Sequence, residues 1–225
     1  MKNSIVKTVL IGFLMTVFGS AAFAEFTIAP RIGASSAVVA AKNSNNGTIK
    51  ALNFGADVLL INDSDLALKW SLGAKFPWSE KSEKGELISA GDFAGVDFSF
   101  GVGKALVRNE KLTLALTGIV GTVVCVTSEN EKKYPIDIFG SKSVVKETSS
   151  GYVTGGKIGA DLTAIVHLSQ HVGVFANAGL YYFVAGSGGK KETKYSDGSK
   201  ENENTDVVMF NGCVFNPSLG VSITF

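Results

Sequence analysis

The sequence predicts an all-β fold: an eight-stranded antiparallel up-and-down transmembrane β-barrel, with short turns at one end and long loops at the other. Three observations carry that prediction. Apolar and polar residues alternate with period two through eight segments, the pattern of strands that set one face against an apolar medium and the other against a polar one. The connections between these segments alternate long and short, so that all the short ones fall at the same end. The N-terminus carries the charged, apolar and small-residue regions of a secretory signal.

Lys2 and Lys7 precede the apolar run Thr8–Gly19, and Ala22-Phe23-Ala24 supplies an A-x-A cleavage site. Residues 1–24 therefore read as a signal peptide and residues 25–225 as the barrel. The apolar run is shorter than the ~20 residues a membrane-spanning helix needs, and the absence of a cysteine after it argues against a lipoprotein. Removing two lysines turns 21 basic against 20 acidic residues into a mature balance of about −1. That balance excludes the basic surface nucleic acid requires, so no nucleic-acid partner is expected.

The first strand is expected from Phe26 to about Lys42, the second over Thr48–Ile61 and the third over Leu66–Phe76. The fourth covers Ala90–Val107, the fifth Leu112–Thr127, the sixth Gly151–Leu168, the seventh Val172–Val184 and the last Val207–Phe225. Each is long enough for the roughly 9–11 residues with which a tilted strand crosses a bilayer. The short connections are Asn62–Asp65, Arg108–Lys111 and Ser169–His171. The long ones are Asn43–Gly47, Pro77–Ser89, Ser128–Ser150 and Ala185–Asp206, polar and nearly charge-balanced, and expected to be solvated and mobile.

The alternation also assigns the faces. Leu52, Phe54, Ala56, Val58 and Leu60 oppose Asn53, Gly55 and Asp57, and Leu66, Leu68, Trp70, Leu72, Ala74 and Phe76 oppose Lys69, Ser71, Gly73 and Lys75. A soluble barrel would turn the charges out and the aliphatic face in; a membrane barrel does the reverse. A lipid-facing Arg or Lys at mid-depth costs about 2–4 kcal/mol, and the charges sit on the face away from the continuous apolar one. Aromatics gather near strand ends, with Phe26 and Phe225 at one rim and Phe76, Trp78, Tyr152 and Tyr182 at the other, as interfacial girdles require.

With that orientation, Arg31, Asp57, Lys69, Asp97, Lys157 and Asp161 line the lumen. Counting from the turns pairs Asp57 with Lys69 and Arg31, and brings Lys69 level with Asp97. The result is a belt of alternating sign around half the lower interior, with Lys157 and Asp161 on the opposite wall. Gly55, Gly73, Gly95, Gly101, Gly159 and Gly179 leave room for the long side chains, and the belt should plug the barrel rather than conduct. Nearer the long loops the inward residues turn apolar: Phe93, Ile119, Val123, Cys125, Val153, Tyr181, Phe183, Val208, Phe210 and Val214. These make either a packed core or a cup open to small hydrophobic molecules.

The final segment, with Cys213, Phe215, Pro217, Leu219, Val221 and Ile223 on one face and a terminal Phe225, resembles the closing strand of small bacterial outer-membrane barrels. The charged-below, apolar-above interior resembles the OmpW type, and OmpX and the OmpA transmembrane domain share the strand count and closing aromatic. The resemblance implies short periplasmic turns, long extracellular loops and residence in the bacterial outer membrane, with Phe225 read by the barrel-assembly machinery. It also implies either a narrow channel or cup for small hydrophobic molecules, or a non-conducting structural or adhesive barrel acting through its loops.

No enzyme, cofactor or metal site is expected. His167 and His171 lie at one short turn, without cysteines or clustered carboxylates beside them, and read as solvated turn residues. Cys125 and Cys213 point to opposite faces, which excludes a bridge. Gly188–Glu192 lacks the spacing of a phosphate loop. Pro30 and Pro217 fall on the two strands that must meet to close the barrel, so a bulge or a weaker seam is expected there.

Overall fold

A computed structural model describes residues 23–41, 44–79, 93–127, 130–133 and 144–225. Most of the predicted signal peptide lies outside these residues. The strands are β1 (Phe23–Ala41), β2 (Ser44–Asn62), β3 (Leu66–Ser79), β4 (Phe93–Arg108), β5 (Leu112–Thr127), β6 (Asn130–Lys133), β7 (Val144–His167), β8 (Val172–Tyr195) and β9 (Lys200–Thr224). Eight of them form an antiparallel ring in which β5 pairs with β7 and β9 returns to β1; the short β6 adds only to the outer end of β7.

The register gives the barrel its dimensions. Stepping across paired residues from Arg31 leads through Gly55, Gly73, Asp97, Val123, Gly155, Ala185 and Phe210 to Ala41, ten residues farther along β1. Strands about 4.8 Å apart, rising about 3.3 Å per residue, then tilt by roughly 40° on a Cα cylinder of roughly 8 Å radius. Side chains from opposite walls meet near the axis of such a cylinder.

The three short turns stand where the sequence puts them, each tied by one polar side chain. Asn62 Oδ1 accepts from the amides of Ser64 (2.9 Å) and Leu66 (2.8 Å), and Asp65 takes the left-handed conformation (φ 61°) that Asp tolerates. Asn109 Oδ1 accepts from Lys111 and Leu112, and Ser169 Oγ from Val172.

Two of the long connections depart from expectation; most of Pro77–Ser89, and residues 128–129 and 134–143 of Ser128–Ser150, lie outside the described residues. Of the expected loop Asn43–Gly47, Ser44 to Gly47 belong to β2, and residues 42–43 lie outside the described residues. Ala185–Asp206 is not an irregular loop. It continues β8 and β9 as a paired ribbon that turns at Tyr195–Ser199, with Gly198 at φ 84° and Asp197 Oδ1 accepting from the Ser199 amide at 2.8 Å. The Asp197-Gly198 pair is a hairpin signal that the polar composition of the segment masks. The outer part of β7 pairs with this ribbon, so a polar sheet projects beyond the lipid-facing wall.

The polarity is inverted, as predicted. Leu72, Ile158, Leu180 and Leu219 are each more than 60% exposed, whereas Lys69 is fully buried and Asp57 and Asp161 are 1% exposed. An aliphatic outside around a charged inside suits lipid and excludes the soluble-barrel alternative. Lys104 is an exception on the outer face; paired to Leu66 and Leu116 near the short-turn rim, it stands where its stem can carry the ammonium to headgroups.

At the seam the expected bulge is absent, because β1 and β9 keep one register from Thr27↔Thr224 to Ala41↔Phe210. The pairing lapses instead beside each proline, between Ile28 and Arg31 and between Gly33 and Ser36. Proline has no amide hydrogen to give the ladder, so the seam is weaker without being kinked. Phe225 completes it: its amide donates to Phe26 O at 2.9 Å and its ring lies 5.7 Å from that of Phe26.

Candidate functional site: a layered lumen

Inward positions on the ring stack into layers. Nearest the short turns, Ala29, Leu59, Ile61, Ala67, Ala105, Ala115, Ile165 and Phe175 form a buried apolar floor. The sequence reading places charge in this lower interior; the charge lies above the floor instead. Parity alone marks Leu59, Ile61, Ile165 and Phe175 as inward, and the conspicuous charges beside them obscure it. Below the floor, Arg108 Nε meets Glu25 Oε2 at 3.3 Å, and His167 Nε2 shares a hydrogen bond with Thr113 Oγ1 at 2.9 Å. His167 is thus a half-buried part of the closed end, while His171 is exposed as expected.

Above the floor comes a tier of ion pairs. Arg31 Nε donates to Asp57 Oδ1 at 2.7 Å. Lys69 Nζ lies 3.1 Å from Asp57 Oδ2 and donates to Asp161 Oδ2 (2.8 Å), Thr163 Oγ1 (3.1 Å) and Asn177 Oδ1 (2.7 Å). The predicted links Arg31–Asp57–Lys69 hold, but the next link does not. Lys69 pairs in register with Gly101, whereas Asp97 stands opposite Gly73, four residues farther up β3. Lys69 therefore crosses the lumen from β3 to β7. Strand tilt is the reason: hydrogen-bonded neighbours climb around the barrel, so residues at one height are not those found by counting from the turns.

Asp97 belongs to a second tier, roughly 10 Å nearer the long-loop end by rise and tilt. Both its oxygens accept from Lys157 Nζ at 2.8 Å, and Lys75 Nζ lies 3.3 Å from Oδ2. Lys75, which the alternation turns inward with the other charges but which the predicted belt leaves out, completes this tier. Tyr181 couples the tiers, its hydroxyl donating to Asp161 while its ring lies 4.7 Å from Lys157 Nζ. Asn53 Nδ2 donates to Asn216 Oδ1 at 2.7 Å in the same region. Glycines make the space: a Cβ on Gly121 would stand 2.8 Å from Lys157 Cε, and one on Gly179 would meet Tyr181 and Asp161.

The outermost layer is apolar, as predicted, but with a different membership. Phe183 and Phe210 pack edge to face (centroids 6.0 Å apart) with Ala37, Val39 and Ala185, and Val153 and Val214 lie partly buried against them. Val123 is half-buried and Cys125 buried on the β5 wall. Tyr181 belongs to the ion network rather than the cup, and Ile119, paired with Gly101 and Gly159, lies lower, between the tiers. Val208, paired with Ser187 at the edge of the register shift toward Gly189, is 46% exposed. The side chains of Phe93 and Trp78 lie outside the described residues. Cys125 and Cys213 are unbridged.

Closed on itself, aliphatic outside and ion-paired inside, the chain defines the class of eight-stranded transmembrane β-barrels with a filled lumen. No family model matches it, and no curated protein sequence does. Among solved structures it is similar to Neisserial surface protein A, NspA, with 13% identity over 89% of this chain and 97% of that one, at a TM-score of 0.39. It is similar to a major outer membrane protein from Thermus thermophilus (14% identity, 88% and 99% covered, TM-score 0.42). It is also similar to Ail, the attachment invasion locus protein of Yersinia pestis (15% identity, 88% and 98% covered, TM-score 0.33).

Proposed function

We propose that this protein is a bacterial outer-membrane barrel that binds small hydrophobic molecules in the outer half of its lumen and does not conduct. One observation carries the reading: an apolar collar, from Val123 on β5 to Phe183 and Phe210 on β8 and β9, lies above a lumen closed by ion pairs and an apolar floor. Apolar walls over a closed base favour entry and retention of an apolar solute and oppose the passage of ions. The outer membrane is the compartment that fits a closed barrel with an aliphatic exterior behind a secretory signal, and Phe225, exposed at the short-turn rim, is the proposed contact for the assembly machinery. The reading assigns no catalytic step to the chain.

Methyl NMR of the barrel in phosphatidylcholine nanodiscs tests it. Titration with dodecanol should shift the Val123, Val153 and Val214 methyls and leave Leu59 and Ile165 in place, while planar bilayers show no conductance steps. Stepwise conductance, or collar methyls indifferent to dodecanol, would overturn the reading. A second reading, a surface barrel acting through its exterior, is favoured by the projecting β7–β8–β9 sheet. Binding to host surfaces that vanishes when residues 188–204 are shortened to a tight turn, with the barrel intact, would select it.

A further inference from the structure

The charges between floor and collar do not balance. Among the described residues they are Arg31, Lys69, Lys75 and Lys157 against Asp57, Asp97 and Asp161. The lower tier is neutral, with Arg31 and Lys69 facing Asp57 and Asp161. The excess falls in the upper tier, where two ammonium groups share one carboxylate directly below the collar. Lys157 already holds both oxygens of Asp97, leaving Lys75 the longer contact, and the Lys75 side chain is also the most exposed in the network, at 15%. Independently, Arg31 Nη1 is buried without a hydrogen-bond partner, while the Nη2 of the same guanidinium lies 3.7 Å from where a Gly73 Cβ would stand, two residues below Lys75 on β3. A largely enclosed cationic excess is costly unless an anion completes it, and so, separately, is a buried donor left without an acceptor.

We infer that the molecule taken by this cup is an amphipathic monoanion: an alkyl chain lying against Val123, Val153, Phe183 and Phe210, with a carboxylate directed down onto Lys75. This rests on the binding-cup reading and narrows its ligand class. A neutral hydrophobe would fill the collar and leave the excess charge uncompensated. A carboxylate would accept from Lys75 Nζ and bring the enclosed charge to zero. The collar sets the order of groups along the axis, tail toward the long loops and head toward the ion pairs.

The test uses the full barrel in phosphatidylcholine nanodiscs, titrated with laurate and with dodecanol, which share a chain and differ in head group. Affinities are read from the Val123, Val153 and Val214 methyls and corrected with protein-free discs. Laurate should bind about tenfold more tightly than dodecanol or better, a difference lost in Lys75→Met and retained in Lys75→Arg. Lys75→Met leaves the Lys157–Asp97 pair in place, and unchanged heat-dependent gel mobility verifies that it folds. Equal binding of the two ligands, or a laurate preference that survives in Lys75→Met, overturns the anion inference while the cup stands. If neither ligand moves the collar methyls, the cup itself fails and this inference fails with it.

Discussion

Asp57→Ala offers the most direct measure of the lower tier. Asp57 is 1% exposed and touches two cations, Arg31 at 2.7 Å and Lys69 at 3.1 Å. The two losses are unequal. Lys69 keeps Asp161, Thr163 and Asn177, so its charge stays compensated. Arg31 loses the carboxylate at its Nε while its Nη1 is already without a partner. Stranding one buried charge costs about 3–5 kcal/mol, and most of that here should be the cost of Arg31 alone. The double variant Arg31→Met/Asp57→Leu removes both charges and should recover all but about 1–2 kcal/mol, a strong coupling for a pair in contact. Urea unfolding in lipid vesicles, followed by tryptophan fluorescence and by heat-dependent gel mobility, gives both values. If Asp57→Ala lies within about 1 kcal/mol of the parent, the pair carries no such load. If the double variant is no better than the single one, the cost arises from lost packing and the electrostatic reasoning is wrong.

Other consequences follow from the same geometry. Gly179→Ala places a methyl against the Tyr181 hydroxyl and Asp161 Oδ1, and should destabilise the barrel by about 1–3 kcal/mol, whereas Gly118→Ala, whose new carbon meets only Val102 O at 3.7 Å, should be tolerated in the same urea titration. Phe175→Ala empties the floor and should cost about 3–5 kcal/mol without producing conductance in planar bilayers, since the ion pairs above remain. At the seam, amides of β1 and β9 beside Pro30 and Pro217 should exchange faster with deuterium than those of β4 and β5; uniform protection around the ring would contradict the lapsed pairing. On the projecting ribbon, the Lys200 ammonium at 2.7 Å holds the Glu192 carboxyl below its ordinary value of 4.5. A depressed carboxylate stabilises above its ordinary value and loses that contribution as pH falls through its folded value. Exchange protection of the ribbon should therefore decline on acidification below about pH 4.5, and do so less in Glu192→Gln.

Period-two alternation is local to each strand, and it sufficed to tell inside from outside: Lys69, Asp57 and Asp161 fall on one parity and Leu72, Ile158 and Leu219 on the other. Turn chemistry is equally local, so the Asn62, Asn109 and Ser169 turns were legible and with them the strand count. The partners of Lys69 were not, because Asp161 lies 92 residues away and comes within reach only when the ring closes with a shear of ten and the tilt lifts each strand past its neighbour. Likewise Leu59, Ile165 and Phe175 each read as one more inward apolar residue, and only their meeting across a cylinder of roughly 8 Å radius makes a floor. The sequence by itself determined which side chains enter the lumen; the closure of the sheet decided which of them touch, because contact across a barrel depends on tilt and register summed over all eight strands.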